Sequence, residues 1–315
     1  MQALGFDVTT LAGAGTADTI VPGLAMDAPH PPTHSQVSRC LDGADLVLVE
    51  NLCSLPLNPA ASAVLADVLR GRRALLRHHD LPWQRERFLD APAPPTDPEW
   101  LHVTINDLSR RQLSERNIQA VTIYNCFDTT TQLGDRAGSR AAMGARNGER
   151  ILLQPTRAIA RKDVPAAIAL ARAIGATYWL LGPPEEDYGE ELDAILSQAA
   201  CRVIAGGDFA MADAYAACDA VAFPSSWEGF GNPSVESAVH RRPLAIGPYP
   251  VAQELAAFGF RWFPSNDPDP LRRWLDNPDP ALLDHNWSVA NRHFDLSHLP
   301  HRLEAAMNWA GWRWK

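Results

Sequence analysis

The sequence predicts an α/β protein with two Rossmann-like domains, and three observations support this prediction. Short apolar runs rich in β-branched residues alternate with helical patterns along most of the chain, which is typical of parallel sheets with crossover helices. The chain has 315 residues, enough for two domains of ordinary size. A polar, glycine-rich stretch at residues 134–149 separates two such series and is typical of a linker or a long loop.

The first series predicts a domain over residues 1–145. Its apolar runs predict strands at Phe6–Leu11, Asp45–Val49, Ala74–Arg77, Trp100–Ile105 and Val121–Tyr124. Helical patterns between them predict helices at Pro59–Arg70 and Asp107–Arg116. The proline-rich segments Pro22–Pro32 and Ala91–Pro98 predict loops.

The second series predicts a domain over residues 146–283. Its apolar runs predict strands at Ile151–Gln154, Tyr178–Leu181, Arg202–Ala205, Ala220–Phe223 and Leu244–Ile246. Helices are predicted at Val164–Ile174, Glu185–Ala199, Met211–Ala217 and Ser234–His240. Residues 284–315 are expected to form helices that pack back on the first domain. Four tryptophans lie in this segment: Trp287, Trp309, Trp312 and Trp314. They could form a platform on which a ligand stacks, but their helical spacing favours packing of amphipathic helices.

Composition and charge exclude some classes of function. The net charge is −9, whereas a nucleic-acid binder needs a basic face against the phosphates. Five cysteines, an odd number without a CxxC pair, indicate reduced thiols in a cytoplasmic protein. No apolar run approaches the ~18–20 residues of a membrane span, which leaves only peripheral membrane contact open. The pattern does not indicate an oligomeric state.

Residues 225–236, SSWEGFGNPSVE, are the strongest functional signal. They follow the predicted strand Ala220–Phe223 and lead into a helix, and open α/β sheets bind ligands at the carboxyl ends of their strands. The two glycines let the backbone approach a ligand closely, and a helix start offers N–H groups to phosphate or sugar hydroxyls. Glu228 and Glu236 can address two parts of an extended ligand.

Two further segments carry side chains that suit a phosphorylated sugar. Residues 154–163, QPTRAIARKD, follow the first strand of the second series, and their arginine and lysine side chains can bind an anionic group. In the first domain, residues 77–83, RHHDLPW, include His79, which can hydrogen-bond to a sugar hydroxyl. A structural histidine pair and a zinc site at residues 78–80 are the alternatives, although adjacent residues on a strand point apart and no partner motif is present.

Together these segments resemble family 4 of the retaining glycosyltransferases. Residues 225–236 resemble its E-x7-E motif, residues 154–163 its G-R-x-x-x-x-K segment with Thr156 in place of glycine, and residues 77–83 its H-D loop. The resemblance covers most of the second domain. It implies the GT-B fold, in which two Rossmann-like domains face a cleft, with the acceptor on the first domain and the nucleotide sugar on the second.

The resemblance also implies a role for each matching residue. Glu236 would hold the ribose hydroxyls, Glu228 and His79 would lie beside the transferred hexose, and Arg157 and Lys162 would hold the leaving diphosphate. Further donor contacts are implied for the loop and helix start that follow the predicted strand Ala220–Phe223, namely Phe230, Gly231, Asn232 and Pro233. The main chain of Arg202 and Val203 would lie beside the base.

The sequence departs from the family pattern in two places. Residues 125–128, NCFD, stand where the family has N-G-V-D, and we assign this turn to the architecture. Family members also begin with a strand, a glycine-rich loop and a helix before the segment that residues 3–11 resemble. The first domain is therefore expected to lack its first βα unit, and a form longer by about 30–40 residues is expected to be more soluble and more active.

These patterns predict a cytoplasmic, retaining hexosyltransferase that needs no cofactor or metal. Its donor would be GDP-mannose or UDP-glucose, with a slight preference for mannose, and its acceptor a sugar, a polyol or a lipid-linked glycan. Asp267-Pro268-Asp269 has the spacing of a metal pair but lies in a proline-rich turn. The alternative is an inactive or truncated relative that only binds nucleotide sugars. Retention of Arg157 and Lys162 favours the enzyme.

Overall fold

A computed structural model of the protein describes residues 1–313, so Trp314 and Lys315 of the expected C-terminal segment lie outside the described residues. The chain forms two compact units. The first comprises Met1–Tyr124 with the described residues from His298 onward, and the second is Asn125–Ser297. Each unit contains a parallel sheet flanked by helices, which confirms the predicted α/β architecture of two Rossmann-like domains.

The bounds of the regular elements between residues 1 and 313 are as follows. The strands are β1 Leu11–Ala12, β2 Thr19–Ile20, β3 Val47–Glu50, β4 Ala74–His78, β5 Trp100–Thr104, β6 Ala120–Thr122, β7 Ile151–Gln154, β8 Thr177–Leu180, β9 Val203–Ala205, β10 Ala220–Phe223, β11 Leu244–Ile246 and β12 Phe263–Pro264. The α-helices are α1 His34–Cys40, α2 Pro59–Leu69, α3 Asp107–Ser114, α4 Arg136–Ala142, α5 Val164–Ala173, α6 Gly189–Ser197, α7 Met211–Ala217, α8 Pro233–Val239, α9 Pro250–Ala256, α10 Pro268–Asp276, α11 Pro280–Phe294 and α12 Leu299–Trp309.

The sheet of the first unit has the order β3-β4-β5-β6, with every strand parallel. Side chains alternate between its faces, so Leu76 packs in the cluster that contains α1 and α2. The neighbouring Leu75 lies on the other face with Leu303 and Met307 of α12. A helix from the end of the chain therefore completes the core of the first unit.

The predicted strand Phe6–Leu11 does not form. Only Leu11 and Ala12 pair in β1, against β2 in a two-stranded sheet. Phe6 packs instead against the cluster that contains α12, and residues 7–10 are exposed. Apolar residues near the start thus pack against a helix, and the exposed segment after them contacts β2 through Thr10 O, which accepts from Thr19 N–H at 3.1 Å.

The sheet of the second unit has the order β12-β11-β10-β7-β8-β9, again with parallel pairs. The first strand of this unit, β7, is central, because the chain builds outward through β8 and β9 and then returns to the other side of β7 with β10. This arrangement is the doubly wound order. From β7, successive strands are added on one side as β8 and β9 and then on the other side as β10, β11 and β12, so the order of addition reverses between β7 and β10. Ligands of such sheets bind outside the carboxyl ends of the strands at that reversal.

The glycine-rich stretch at residues 134–149 contains the helix α4, where the sequence predicts a linker or loop. Asp135 caps its first turn through Gly138 N–H at 3.0 Å. Arg136 donates to the carbonyl oxygens of Ala216 and Cys218, each at 2.8 Å, and thereby joins α4 to the end of α7. Hydrogen bonds rather than an apolar stripe hold this helix, which explains why no periodicity predicts it.

The C-terminal tryptophans have separate environments. Trp312 is buried in the core of the first unit, and the Trp287 indole donates to Thr129 O at 3.1 Å in the second unit. Trp309 is exposed. Between residues 1 and 313, no helix is long and apolar enough to cross a membrane.

Candidate active site

The loops that follow β7 and β10 carry most of the predicted donor-side residues. Lys162 lies in the first loop, at the end of a 3-10 turn, and Glu228 lies in the second. Because β7 and β10 are adjacent strands at the reversal of the sheet order, their following loops meet at its carboxyl edge. The structure thus brings together two residues that are 66 positions apart in the sequence.

Glu228 is held by two cations, one on each carboxylate oxygen. Lys162 Nζ donates to Glu228 Oε1, and Arg161 donates to Glu228 Oε2 at 2.8 Å. Lys162 and Glu228 are 7% and 6% exposed, so little water screens the pair. Arg161 is a residue that the sequence analysis did not select, because the family pattern has a variable position there.

Burial and charge oppose one another in this cluster. Burial would raise the pKa of Glu228, but Lys162 and Arg161 outweigh it and lower that pKa below its ordinary value. Burial lowers the pKa of Lys162, and Glu228 opposes this shift while Arg161 adds to it. The carboxylate is therefore ionised, and it lies beside more positive than negative charge.

The backbone and ring around Lys162 fix its side chain. Gln154 at the end of β7 donates to Lys162 O at 2.9 Å, and Gln154 in turn accepts from the Tyr178 hydroxyl at 2.6 Å. Phe223 of β10 places its ring 5.1 Å from Lys162 Nζ. These buried groups hold the ammonium at the carboxyl edge of the sheet.

Glu236 lies in α8, the helix that the glycine loop leads into. Its Oε2 accepts from the Tyr215 hydroxyl at 2.9 Å, and Tyr215 stacks on His240 with ring centroids 4.7 Å apart. Burial raises the pKa of Glu236, and the hydrogen bond from Tyr215 partly offsets the rise. The two glutamates of the E-x7-E segment therefore differ in environment: Glu228 is paired with two cations, whereas Glu236 accepts from a neutral hydroxyl.

The loop between them depends on Gly231, whose φ is 85°. A Cβ atom there would lie 2.3 Å from Tyr249 Oη and 2.7 Å from Phe223 Cε1, and both rings are buried. Phe230 stacks against Phe127 at 6.0 Å. Asn232 accepts from Asn125 Nδ2 at 2.9 Å, and Pro233 begins α8.

Arg157 does not contact Glu228. Its guanidinium pairs with Glu185 at 2.5 Å, and both side chains are about half exposed. Gly182 lies so close that a Cβ atom would be 2.5 Å from Arg157 N, which ties this loop to the end of β8. The two predicted cations, Arg157 and Lys162, are thus held by different carboxylates.

Arg202 and Val203 lie at the other end of the sheet. Val203 pairs with Tyr178 at the start of β9, and Arg202 O accepts from Tyr178 N–H at 2.9 Å. The Arg202 side chain binds Glu149 through both carboxylate oxygens at 2.7 Å. These residues lie at the amino edge, whereas Glu228 and Lys162 lie at the carboxyl edge.

His79 belongs to the first unit, directly after β4. Its ring Nε2 lies 2.7 Å from Glu50 Oε2, and its backbone N–H donates to Asn51 Oδ1 at 3.0 Å. His78 instead contacts Ser54 at 2.5 Å and His102 at 2.9 Å. The adjacent histidines therefore have different partners. Among residues 1–313, no group of three or more His, Cys, Asp or Glu side chains is arranged to hold a metal ion.

Comparisons with known proteins agree with this fold. No family model matches the chain. Two curated relatives, the mannosylglucosylglycerate synthases of Thermotoga maritima and Petrotoga mobilis, are 25% and 26% identical over 84% and 72% of this chain. The chain spans 76% and 65% of their respective lengths. The crystal structure of Anabaena HepE in complex with UDP and glucose is similar with a TM-score of 0.71, at 18% identity over 88% of this chain and 81% of that one.

Each unit contains a parallel sheet, and the second carries a cation–glutamate cluster at its sheet reversal. The chain has the GT-B fold, and both of these sequence relatives are named as sugar-conjugate synthases. The two mannosylglucosylglycerate synthases resemble it in sequence.

Proposed function

We propose that the protein transfers a hexose from a nucleotide sugar to a polyol or sugar acceptor, with retention of the anomeric configuration and without a metal. The buried Lys162–Glu228–Arg161 cluster at the sheet reversal supports this proposal most strongly. A fixed cation in a dry site stabilises the negative charge of a departing diphosphate without reorganisation. The cluster also leaves a carboxylate beside that cation for the hydroxyls of the transferred sugar.

In the proposed reaction the acceptor hydroxyl attacks the anomeric carbon from the face on which the diphosphate leaves. The bond between the acceptor oxygen and the anomeric carbon forms, the bond to the phosphate oxygen breaks, and the acceptor proton passes to that phosphate oxygen. Lys162 and Arg157 hold the leaving charge, and Glu228 binds hexose hydroxyls.

Nucleotide binding in this proposal depends on α8 and the loop before it. Glu236 accepts from the ribose hydroxyls through the oxygen that Tyr215 does not occupy. The backbone of the segment from Phe230 to Pro233 lies beside the diphosphate and the sugar. We propose that the base also lies at the carboxyl edge of the sheet. Arg202 lies at the opposite, amino edge, where its side chain binds Glu149.

The proposed donor is GDP-mannose and the proposed acceptor is glucosylglycerate. Both curated relatives bear the name mannosylglucosylglycerate synthase, and addition of a mannosyl group to glucosylglycerate would form the compound in that name. UDP-glucose is the second candidate donor, because the structurally similar Anabaena HepE is described in complex with UDP-glucose. We propose that the reaction takes place in the cytoplasm.

The test is a direct transfer assay with purified protein. GDP-mannose or UDP-glucose is mixed with glucosylglycerate, and the product is identified by mass and by the NMR coupling of its new anomeric proton. The proposal expects transfer from one donor with the anomeric configuration of that donor. Lys162→Met should lower turnover by about 10²–10³, the usual cost of removing one group that stabilises developing charge.

Three outcomes would contradict parts of the proposal. An inverted product would refute retention. Loss of turnover with a chelator and its recovery with manganese would refute the metal-free reaction. Binding of nucleotide sugar without transfer to any of several sugars and polyols would favour the inactive, binding-only relative.

A further inference from the structure

Arg161 binds three consecutive residues of the loop after β10. Its carbonyl oxygen accepts from Ser226 N–H at 2.9 Å. Its guanidinium donates to Trp227 O at 2.9 Å and to Glu228 Oε2 at 2.8 Å through the same nitrogen, Nη1. One residue of the β7 loop therefore fixes the backbone and the side chain of the loop that carries Glu228.

The charges of this cluster do not balance. Lys162 and Arg161 contribute two positive charges and Glu228 one negative charge, and the Lys162 and Glu228 side chains are almost fully buried. Lys162 and Glu228 alone would form a neutral pair. With Arg161 sharing the carboxylate, the cluster keeps a net positive charge in a place where water screens it poorly.

The same two loops contain polar groups that no protein atom satisfies. Trp227 Nε1 and Thr156 Oγ1 are buried and have no hydrogen-bond partner among residues 1–313. Both can donate a hydrogen bond, and native proteins rarely leave such groups unpaired. A net positive cluster with unpaired donors in the flanking loops is suited to an anionic ligand.

We propose that Arg161 is a positioning residue: it holds Glu228 so that the charge of Lys162 stays available to the diphosphate of the nucleotide sugar. This inference rests on the proposed function. Without Arg161, both oxygens of Glu228 could turn to Lys162, and the ammonium would be neutralised by its own neighbour. Trp227 and Glu228 would also lose their contacts with the Arg161 side chain, whereas Ser226 would keep its hydrogen bond to the backbone carbonyl of residue 161.

A double-mutant cycle tests this role through the affinity for GDP and UDP, measured by calorimetry. Arg161→Gln should weaken binding of the preferred nucleotide at least about tenfold, the effect of losing a charge-assisted hydrogen bond. In the Glu228→Gln background, where no carboxylate competes for Lys162, the same change should weaken binding less than about threefold. Arg161→Lys should recover part of the affinity, because it keeps the positive charge but not the guanidinium geometry.

Arg150→Gln is the matched control for loss of a partly buried arginine. Arg150 also binds a carboxylate, Asp276 at 2.6 Å, and a carbonyl, Leu275 O at 3.3 Å, but it precedes β7 at the amino edge. This variant should reduce thermal stability without changing nucleotide affinity. A comparison of the melting temperatures of both variants separates general destabilisation from a change at the site.

Three outcomes would overturn the inference, and they are distinguishable. Equal losses of affinity in the parent and in the Glu228→Gln background would mean that Arg161 contacts the diphosphate directly, through its unpartnered Nε. Unchanged affinity in a folded Arg161→Gln protein would remove Arg161 from the site altogether. If the parent protein binds neither GDP nor UDP, the proposed function itself fails, and the inference fails with it.

Discussion

Tyr215 and Glu236 illustrate how a buried hydroxyl controls a carboxylate. Tyr215 is fully buried, and its hydroxyl donates a hydrogen bond to Glu236 Oε2 at 2.9 Å. Such a donor favours the ionised form of the acid, whereas burial favours the protonated form and raises the pKa of Glu236. An ionised glutamate accepts hydrogen bonds from ribose hydroxyls more strongly than a protonated one, so the proposed nucleotide binding should depend on this balance.

We predict that Tyr215→Phe makes nucleotide affinity more sensitive to acid. Without the hydroxyl, the pKa of Glu236 rises further, so affinity should fall at a higher pH than in the parent as the pH is lowered. The lost hydrogen bond should also cost about 1 kcal/mol of stability. Calorimetric titration with the preferred nucleoside diphosphate at several pH values between 8 and 5 measures the shift.

Tyr178→Phe is the control for this prediction. It removes another buried hydroxyl, but its partner Gln154 does not titrate. It should therefore lower stability without moving the pH dependence of binding. An identical pH profile in the parent and in Tyr215→Phe would show that Glu236 does not depend on the hydroxyl.

At the level of elements, the strand–loop–helix unit from β10 to α8 holds the site. The loop turns sharply at Gly231, and Phe223 of β10 and Tyr249 before α9 close the space beside it. Gly247 lies equally close to the start of the loop, because a Cβ atom there would be 2.4 Å from Ser225 O. The backbone positions of Glu228 and Glu236 are therefore set by packing as well as by hydrogen bonds.

We predict that Gly231→Ala destabilises the second unit by about 2–5 kcal/mol. An alanine with φ near 85° costs about 1–2 kcal/mol, and displacement of the buried Phe223 and Tyr249 rings adds a packing cost of about 1–3 kcal/mol. Urea unfolding followed by circular dichroism gives the free energy of unfolding. Transfer activity should fall with it, because Glu228 and Glu236 flank this position.

Gly175→Ala separates the two costs. Gly175 has φ of 69°, but a Cβ atom there would meet nothing within 4 Å. It should therefore show the backbone cost alone and keep full activity. Equal destabilisation by the two substitutions would mean that the crowding around Gly231 is relieved easily.

At the level of the whole molecule, three buried histidines link stability to pH. Burial lowers the pKa of His102 in the first unit and of His240 in the second to about 4. Burial also lowers the pKa of His78 well below its ordinary value. An unfolded histidine has a pKa of about 6.5, so the unfolded chain binds more protons than the folded one below that pH.

We predict that the free energy of unfolding falls as the pH is lowered from 6.5 to about 4. Each of these histidines contributes up to about 1.4 kcal/mol per pH unit in this window, and the contribution is fully present above pH 6.5. Urea unfolding at pH 7.5, 6 and 5 measures the slope. His102→Gln should reduce it, whereas His301→Gln, at a side chain that is 88% exposed, should leave it unchanged. A flat profile between pH 7 and 5 would contradict the prediction.

The sequence by itself determined the elements that carry strong local patterns. The strands Ile151–Gln154, Ala220–Phe223 and Leu244–Ile246 and the helix Met211–Ala217 have the predicted bounds, because an apolar run or a helical period lies within a few residues of sequence. The motif at residues 225–236 also placed Glu228 and Glu236 after a strand and within a helix, as the structure has them. Their roles in transfer remain predictions.

Only the tertiary structure decided which charged groups meet. Arg161 rather than Arg157 binds Glu228, and Arg202 binds Glu149 at the amino edge. The order of strands in the sheet decides these pairs, because it places the loops after β7 and β10 side by side although they are far apart in sequence. Phe6 likewise packs toward α12 rather than in a strand, because its partner comes from the other end of the chain. Local patterns specify periodicity and turns, whereas contacts between distant segments depend on the packing of the whole unit.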